Sequence, residues 1–255
     1  MKTSIQLEIN EGVASLLLCP PEGKPPTLDG EVLAELEHAV VQAKSANPRV
    51  LVVKSQSAKF FCVGANINVL KETTEKTIVP WVMEGHRILN MLEDLPFPVL
   101  AVVEGYAMGG GLELAMACDI IYASESAKIA QSEAGLGFIP GWGGTRRLAQ
   151  RVGVGQAKKI FYTGEMLDAQ KACNLGLVDA VYTSEQMAEE VEGFCNSVLK
   201  NNANAISQFK TILEAGERAA RNANATEEAF RSVTCLQDPD AKKRLEDFLN
   251  KKRSK

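Results

Sequence analysis

The sequence is poor in the residues that ordinarily bind metals. It has two histidines, His38 and His86, which lie in separate helical segments without a ligand-spaced partner. Its six cysteines include no Cys-x-x-Cys pair, and most of them have apolar neighbours. Cysteines in this setting are typical of small apolar side chains in a reducing compartment. We therefore predict no metal site and no disulfide framework.

Long apolar runs and an excess of basic residues are also absent. No segment reaches the roughly 20 apolar residues of a membrane-spanning helix. The N-terminus alternates polar and apolar residues and lacks the apolar centre of a signal peptide. The formal net charge is −4 and the pI is about 5.5, which argues against a broad nucleic-acid surface. We expect a cytoplasmic protein with no membrane partner and no nucleic-acid partner.

Hydrophobic periodicity predicts a mixed α/β chain. Its 255 residues suit one large domain, or one domain with an appended subdomain. An alternating pattern broken at Glu11 and Gly12 predicts a hairpin, and the four prolines within residues 19–26 predict a loop. Later strands are predicted at 49–53, 98–103, 120–123 and 128–131, and helices at 28–46, at 81–92, from 113 and from 145.

From about Ser184 onward only helical patterns follow. We predict a soft boundary near residue 195, between a first domain of residues 1–195 and a helical region of residues 196–255. Helices near this boundary carry more apolar surface than a small subdomain could bury, which predicts a homo-oligomer. The side chains concerned are Val191, Phe194, Val198, Leu199, Phe209, Ile212 and Leu213.

Three consecutive glycines, residues 109–111, stand between a predicted strand and a predicted helix. No Gly-x-Gly-x-x-Gly fingerprint and no Gly-Lys-Ser/Thr motif accompanies them, so a dinucleotide or P-loop site is not indicated. Backbone N–H groups at a helix N-terminus lack intrahelical partners, and glycine lets a ligand approach them. A plain tight turn is the alternative. A binding role needs a second donor, which the turn at Val63 offers; two converging amides would form an oxyanion hole.

One acid accompanies these glycines. Glu113 comes two residues after them, in an apolar stretch. A carboxylate there is costly unless it has a partner or a function. Taken alone, Glu113 could complement the helix dipole.

Three motifs resemble those of one family, the crotonase (enoyl-CoA hydratase/isomerase) superfamily. Residues 61–67 (FCVGANI) are similar to F-x-A-G-A-D-I, and residues 104–115 (EGYAMGGGLELA) are similar to G-x-A-x-G-G-G-x-E-L-A. Residues 131–145 (QSEAGLGFIPGWGGT) are similar to P-E-x-x-x-G-x-x-P-G-x-G-G-T. Weaker similarity continues at residues 164–172 and 176–179, so that the resemblance covers nearly the whole chain.

This resemblance implies a fold and an activity. The fold is a crotonase-like superhelix of ββα units, followed by a C-terminal helical region that forms trimers, usually stacked as a dimer of trimers. The activity is that of an enoyl-CoA hydratase in fatty-acid β-oxidation or related acyl-CoA degradation, with Glu113 and, 20 residues later, Glu133 as the catalytic acids. Two carboxyl groups that flank one water could remove one proton and deliver another, which adding water to a double bond requires. Taken alone, Glu133 could instead cap a loop. Val63 and Gly110 are the implied oxyanion donors. No cofactor or metal is implied, because CoA belongs to the substrate.

The resemblance also implies substrate contacts. Residues 63–66 (Val63, Gly64, Ala65 and Asn66) would line the thioester site, the Gly141 N–H would help to hold the water, and Lys24 would approach the CoA phosphates. Three positions depart from the family pattern. Asn66 replaces an acid, Val63 replaces a common alanine, and Trp142 replaces a residue that is often small. We expect Trp142 to reshape the acyl pocket.

Two other functions compete with hydration. A Δ3,Δ2-enoyl-CoA isomerase needs only one carboxylate to move a proton, so the presence of both glutamates disfavours it. A non-catalytic or RNA-binding relative on the same scaffold is disfavoured by the acidic pI and by the intact acids. The acyl chain that the protein prefers is left open.

Overall fold

Ten strands form two sheets in the computed structural model, which describes residues 2–253. The six-stranded sheet has the order β1-β2-β3-β5-β7-β10 and the four-stranded sheet the order β4-β6-β8-β9. The strands are β1 Ser4–Asn10, β2 Val13–Cys19, β3 Val50–Ser55, β4 Phe60–Cys62, β5 Val99–Val103, β6 Tyr106–Met108, β7 Ile120–Ser124, β8 Lys128–Ala130, β9 Leu167–Asp168 and β10 Ala180–Tyr182.

The chain winds as a spiral that supplies each sheet in turn. β3 lies in the first sheet and β4 in the second, and the pairs β5/β6 and β7/β8 repeat this alternation. The pairings β3/β5, β5/β7, β4/β6 and β6/β8 are all parallel. Parallel neighbours require a crossover, which the helices between the pairs provide. The predicted superhelix of ββα units is therefore confirmed, as is the antiparallel β1/β2 hairpin.

Ten α-helices and one short 3₁₀ helix complete the part of the chain that is described. The 3₁₀ helix, Glu133–Leu136, carries one of the predicted catalytic acids. The α-helices are α1 Gly30–Ala46, α2 Ile67–Glu72, α3 Glu75–Glu93, α4 Gly110–Met116, α5 Gly144–Thr163, α6 Ala169–Asn174, α7 Ser184–Lys200, α8 Ala203–Ala215, α9 Arg218–Gln237 and α10 Pro239–Arg253.

Capping residues set several of the helix bounds. Asp29 caps α1 by accepting the Val32 N–H (3.0 Å), and Asn47 ends that helix with a positive φ of 47°. The sequence predicted the next long helix only from residue 81, because Pro80 breaks the pattern. In the structure α3 includes Pro80 and begins at Glu75, after a capping box at Thr74.

The helix α7 packs on the outer face of the six-stranded sheet. Its Met187, Cys195 and Val198 are buried against strand residues that include Val50 and Val102. The predicted division at residue 195 stays a prediction, but residue 195 lies inside α7, and the packing favours a change after this helix. Within residues 2–253, no helix combines the length and apolar character needed to cross a bilayer.

Candidate active site

One apolar cavity of about 860 Å³ lies where the spiral meets the last helix. The turns after β4 and β6, the 3₁₀ helix and the loop before α5 form its walls, and α10 contributes Phe248 and Leu249. Most of the predicted site residues line it together. They are Val63, Ala65, Asn66, Gly110, Glu113, Glu133, Gly141 and Trp142.

Two glycine turns meet at the bottom of this cavity. A Cβ on Gly64 would lie 2.6 Å from the Gly110 nitrogen, so only glycine permits the contact. The Val63 N–H donates to Pro26 O (3.0 Å) and is therefore already used. The choice of Val63 as an oxyanion donor is thus wrong in this structure. In this turn the Ala65 N–H, like that of Gly110 across the contact, has no acceptor among the described residues.

Glu113 is buried in the first turn of α4 and is held by backbone amides. Its Oε1 accepts the N–H groups of Trp142 (2.8 Å) and Gly144 (2.7 Å). Its Oε2 accepts no hydrogen bond from the described residues. The two amides leave one carboxylate oxygen fixed in place and the other open to the cavity.

Glu133 begins the 3₁₀ helix and is held by a side chain. Its Oε1 accepts from Gln131 Nε2 (2.7 Å). Its Oε2 is shielded from solvent and has no partner within residues 2–253. Burial raises the pKa of Glu133 to about 7. The site therefore has a second carboxyl group with one oxygen held and the other free.

Burial also raises the pKa of Glu113 well above its usual value, and the charges of Glu133 and Glu228 add to that effect. The hydrogen bonds from Trp142 and Gly144 oppose it by favouring the ionised form. Because each glutamate opposes the ionisation of the other, the pair holds a proton at neutral pH more readily than a free carboxyl group does.

Trp142 fills the space between two glycines. A Cβ on Gly85 of α3 would lie 2.1 Å from its Nε1, and a Cβ on Gly110 would lie 2.6 Å from its Cζ3. The indole packs edge-on against Trp81, with ring centroids 5.1 Å apart. The large ring that was predicted at the acyl pocket is therefore locked in place.

Comparisons with known proteins identify the family. The profile of the family described as Enoyl-CoA hydratase/isomerase matches residues 8–255. The chain belongs to the enoyl-CoA hydratase/isomerase family. A protein named crotonyl-CoA hydratase from Syntrophomonas wolfei subsp. wolfei is 32% identical over 253 residues, covering 98% of this chain and 96% of that one. The short-chain-enoyl-CoA hydratase of Clostridium acetobutylicum is 30% identical, covering 89% and 87%.

Solved structures of the family share the fold. Enoyl-CoA hydratase from Bacillus anthracis has a TM-score of 0.79 at 30% identity, covering 97% of this chain and 96% of that one. The enzyme from Bacillus halodurans has a TM-score of 0.89, covering 95% and 99%, and at 22% identity this likeness bears on the fold alone. The family and the crotonase-like fold predicted from the motifs are confirmed.

The remaining predicted contacts differ in their placement. Asn66 lines the cavity and caps α2 by accepting the Asn68 N–H (3.1 Å). Gly141 lines the cavity, and its N–H has no acceptor among the described residues. Lys24 is exposed beside Pro25, which lines the cavity. The roles of Lys24 and Gly141 stay predictions.

Sequence reasoning missed three functional candidates, Gln131, Arg147 and Glu228, and it missed the free N–H of Ala65, which it named only as a substrate contact. Gln131 stands inside one of the quoted motifs. Arg147 donates to Trp142 O (2.6 Å) from within α5, and Glu228 reaches the same loop from α9. Nothing in their local sequence distinguishes Arg147 or Glu228 from surface charges. Within residues 2–253, no group of three or more histidine, cysteine, aspartate or glutamate side chains is placed to hold a metal ion.

Proposed function

We propose that this protein is an enoyl-CoA hydratase, which adds water syn across the double bond of a 2-enoyl-CoA thioester to give a 3-hydroxyacyl-CoA. One observation carries the proposal. Glu113 and Glu133 line the same cavity, and each has one carboxyl oxygen held and the other without a donor among the described residues. The free oxygens suit a water between them. The family match and the names of the relatives support the same reaction.

The thioester carbonyl would bind where the two glycine turns meet. The Ala65 and Gly110 N–H groups would polarise it and stabilise the enolate-like charge that develops on its oxygen. Glu113 would take a proton from the water as the water oxygen bonds to Cβ, and Glu133 would deliver its proton to Cα. The two amides on Glu113 favour its ionised form, and Glu133 Oε2 lacks a donor, which favours the protonated form. After product release, the next water accepts the proton of Glu113 and passes a proton to Glu133, which restores both groups.

This chemistry uses only groups of the chain and of the substrate, so we propose that no bound cofactor takes part. The CoA part of the bound substrate would extend out of the cavity along the turn 63–66. The exposed Lys24 would interact with its phosphates through its charge. A short acyl chain is the proposed substrate class. The rigid Trp142 supports it, as do the relatives named for crotonyl-CoA and short-chain enoyl-CoA.

Isomerisation is the rival reaction, since the family includes isomerases. Moving a proton between Cα and Cγ needs one acid. The structure instead buries two, and burying a second carboxyl group without use is costly. The purified protein should hydrate crotonyl-CoA faster than it shifts a 3-enoyl-CoA to the 2-enoyl isomer. Assays with 2-enoyl-CoA substrates of several chain lengths, run beside the 3-enoyl substrate, measure both the acyl-chain preference and the rate of hydration relative to isomerisation. Isomerisation without hydration would overturn the proposal.

We also propose a homo-oligomer, either a trimer or a dimer of trimers, that buries one face of α8. Phe209, Ile212 and Leu213 are 68%, 73% and 60% exposed, which is unusual for three large apolar side chains on one helix face. The face of α7 that was predicted to share this role packs instead inside the chain, where Val198 is buried.

Sedimentation should detect an oligomer at micromolar concentration, and Leu213→Glu should dissociate it. Asn204→Glu, on the opposite side of α8, serves as the control. A stable wild-type monomer would contradict the proposal.

A further inference from the structure

Two carboxylates hold the loop of residues 142–145 from opposite sides. Its four successive backbone N–H groups alternate between them. Glu113 accepts the first and the third, as described above. Glu228 accepts the second and the fourth, from Gly143 to Oε2 (2.9 Å) and from Thr145 to Oε1 (3.1 Å). The amides that hold the catalytic acid are therefore fixed by a second acid from a distant helix.

Glu228 is as deeply buried as Glu113. Both side chains are 2% exposed. Besides the two amides, Glu228 accepts from the Thr145 hydroxyl and contacts His86 Nε2 (2.8 Å). When Glu228 is ionised, His86 donates a hydrogen bond from Nε2 in this contact. A buried carboxylate is costly unless such donors surround it. Four hydrogen-bond donors surround Glu228, and three of these donors belong to the loop.

We propose that Glu228 is a positioning residue for the hydration reaction: it keeps the loop of residues 142–145 in the one path that aims the free oxygen of Glu113 at the water. This inference rests on the proposed hydratase function. Glu228 does not line the cavity, so it acts through the loop and not by touching the substrate. Loss of this support should affect turnover more than substrate binding, because the oxyanion amides lie elsewhere.

The charge of Glu228 has a second, electrostatic effect. It raises the pKa of both Glu113 and Glu133, after burial as the main cause. The other ionisable groups at this point are His86 of α3, in contact with Glu228, and Arg147 of α5, which bonds the carbonyl of Trp142. Removing the negative charge should lower the pKa of each catalytic acid and shift the pH–rate profile to lower pH.

The test compares Glu228→Gln with the wild type and with Glu227→Gln, using crotonyl-CoA as the substrate. Gln keeps the shape, but its amide nitrogen cannot accept a hydrogen bond, so one side of the loop is released. We expect kcat to fall ~10²-fold, the scale of a displacement of about 1 Å at a catalytic group, while KM changes by less than about threefold. The pH profile should move to lower pH. Glu227 is exposed and pairs with Arg231, and its variant should behave as the wild type.

Glu228→Asp separates position from charge. It keeps the negative charge but is one methylene shorter, so it cannot reach both amides. We expect a reduced kcat with an unshifted pH profile. Glu228→Asp also tests the inference if Glu228→Gln fails to fold. A folded Glu228→Gln or Glu228→Asp with wild-type kcat would overturn the inference, as would a loss explained entirely by a lower folded fraction. Absence of hydration in the wild type would instead refute the proposed function.

Discussion

Glu113 and Glu133 share one cavity, yet their supports differ in kind. Glu113 stands on a helix and is held by two backbone amides of a loop that begins 29 residues later in the chain. Glu133 stands in a 3₁₀ helix and is held by the side chain of Gln131, only two residues away. The first acid depends on the path of a distant loop, and the second depends on one local side chain.

We propose that this difference separates the roles of two glutamates of equal intrinsic acidity. Burial raises the pKa of both, and the two N–H donors on one oxygen of Glu113 oppose that rise and favour its carboxylate as the base. Burial without a donor on Oε2 favours the protonated form of Glu133, an acid ready to supply Cα. The four predictions that follow test this comparison, from the largest expected effect to the smallest.

Replacing either acid by glutamine should nearly abolish hydration. Glu113→Gln cannot take a proton from water, and Glu133→Gln cannot supply one to Cα, so each should lower kcat by ~10³-fold. KM should change little, because the oxyanion amides are untouched. Glu125→Gln, at an exposed surface position, is the matched control. Hydration by Glu113→Gln at a tenth of the normal rate or better would end the two-acid mechanism.

The pH dependence of stability should reveal the raised pKa of Glu133. Its pKa rises from 4.5 to about 7 on folding, so between these values the folded state binds a proton that the unfolded chain releases. The resulting stabilisation is complete below pH 4.5 and is lost as the pH rises through about 7. Glu133→Gln cannot titrate. Relative to wild type, its free energy of unfolding should increase by about 3 kcal/mol over this range. Denaturant titrations measure this change, and a constant difference would contradict the raised pKa.

The backbone support of Glu113 can be broken at Gly144. A Cβ there would lie 2.8 Å from Glu113 Oε1 and 2.7 Å from Pro140 Cβ, so Gly144→Ala must displace the carboxylate or the loop. We expect kcat to fall by ~10²-fold. Gly155→Ala, in the same helix and with open space around it, should keep its activity and gain up to about 1 kcal/mol of stability. Full activity in Gly144→Ala would show that the loop does not position Glu113.

The side-chain support of Glu133 should matter less. Gln131→Met removes a single hydrogen bond at nearly constant volume, which costs about 1 kcal/mol. We expect an approximately fivefold lower kcat from that loss. Gln170→Met makes the same exchange at an exposed position of α6 and should leave kinetics unchanged. If Gln131→Met were as damaging as Gly144→Ala, the two acids would not differ in how they are held.

Local patterns predicted most of the architecture. The hairpin, the buried strands and the change to helices after Ser184 follow from periodicity and turn residues, which are properties of neighbouring residues. The misses share one cause. The start of α3 and the short helix α2 depend on packing and capping that overrode a proline and a weak pattern. The α7 face was expected at a subunit contact, but it covers the sheet of its own chain.

By itself, the sequence determined the family, the two acids and the glycine turns, because motif spacing places these groups in one order along the chain. Tertiary structure decided which backbone amides are free. The Val63 N–H donates to the carbonyl of Pro26, 37 residues earlier, whereas the Ala65 N–H has no acceptor among the described residues. The tertiary structure also brings Glu228 to the loop at Gly143, 85 residues away. Hydrogen-bond partners across such separations are set by how elements pack, and local sequence carries no record of them.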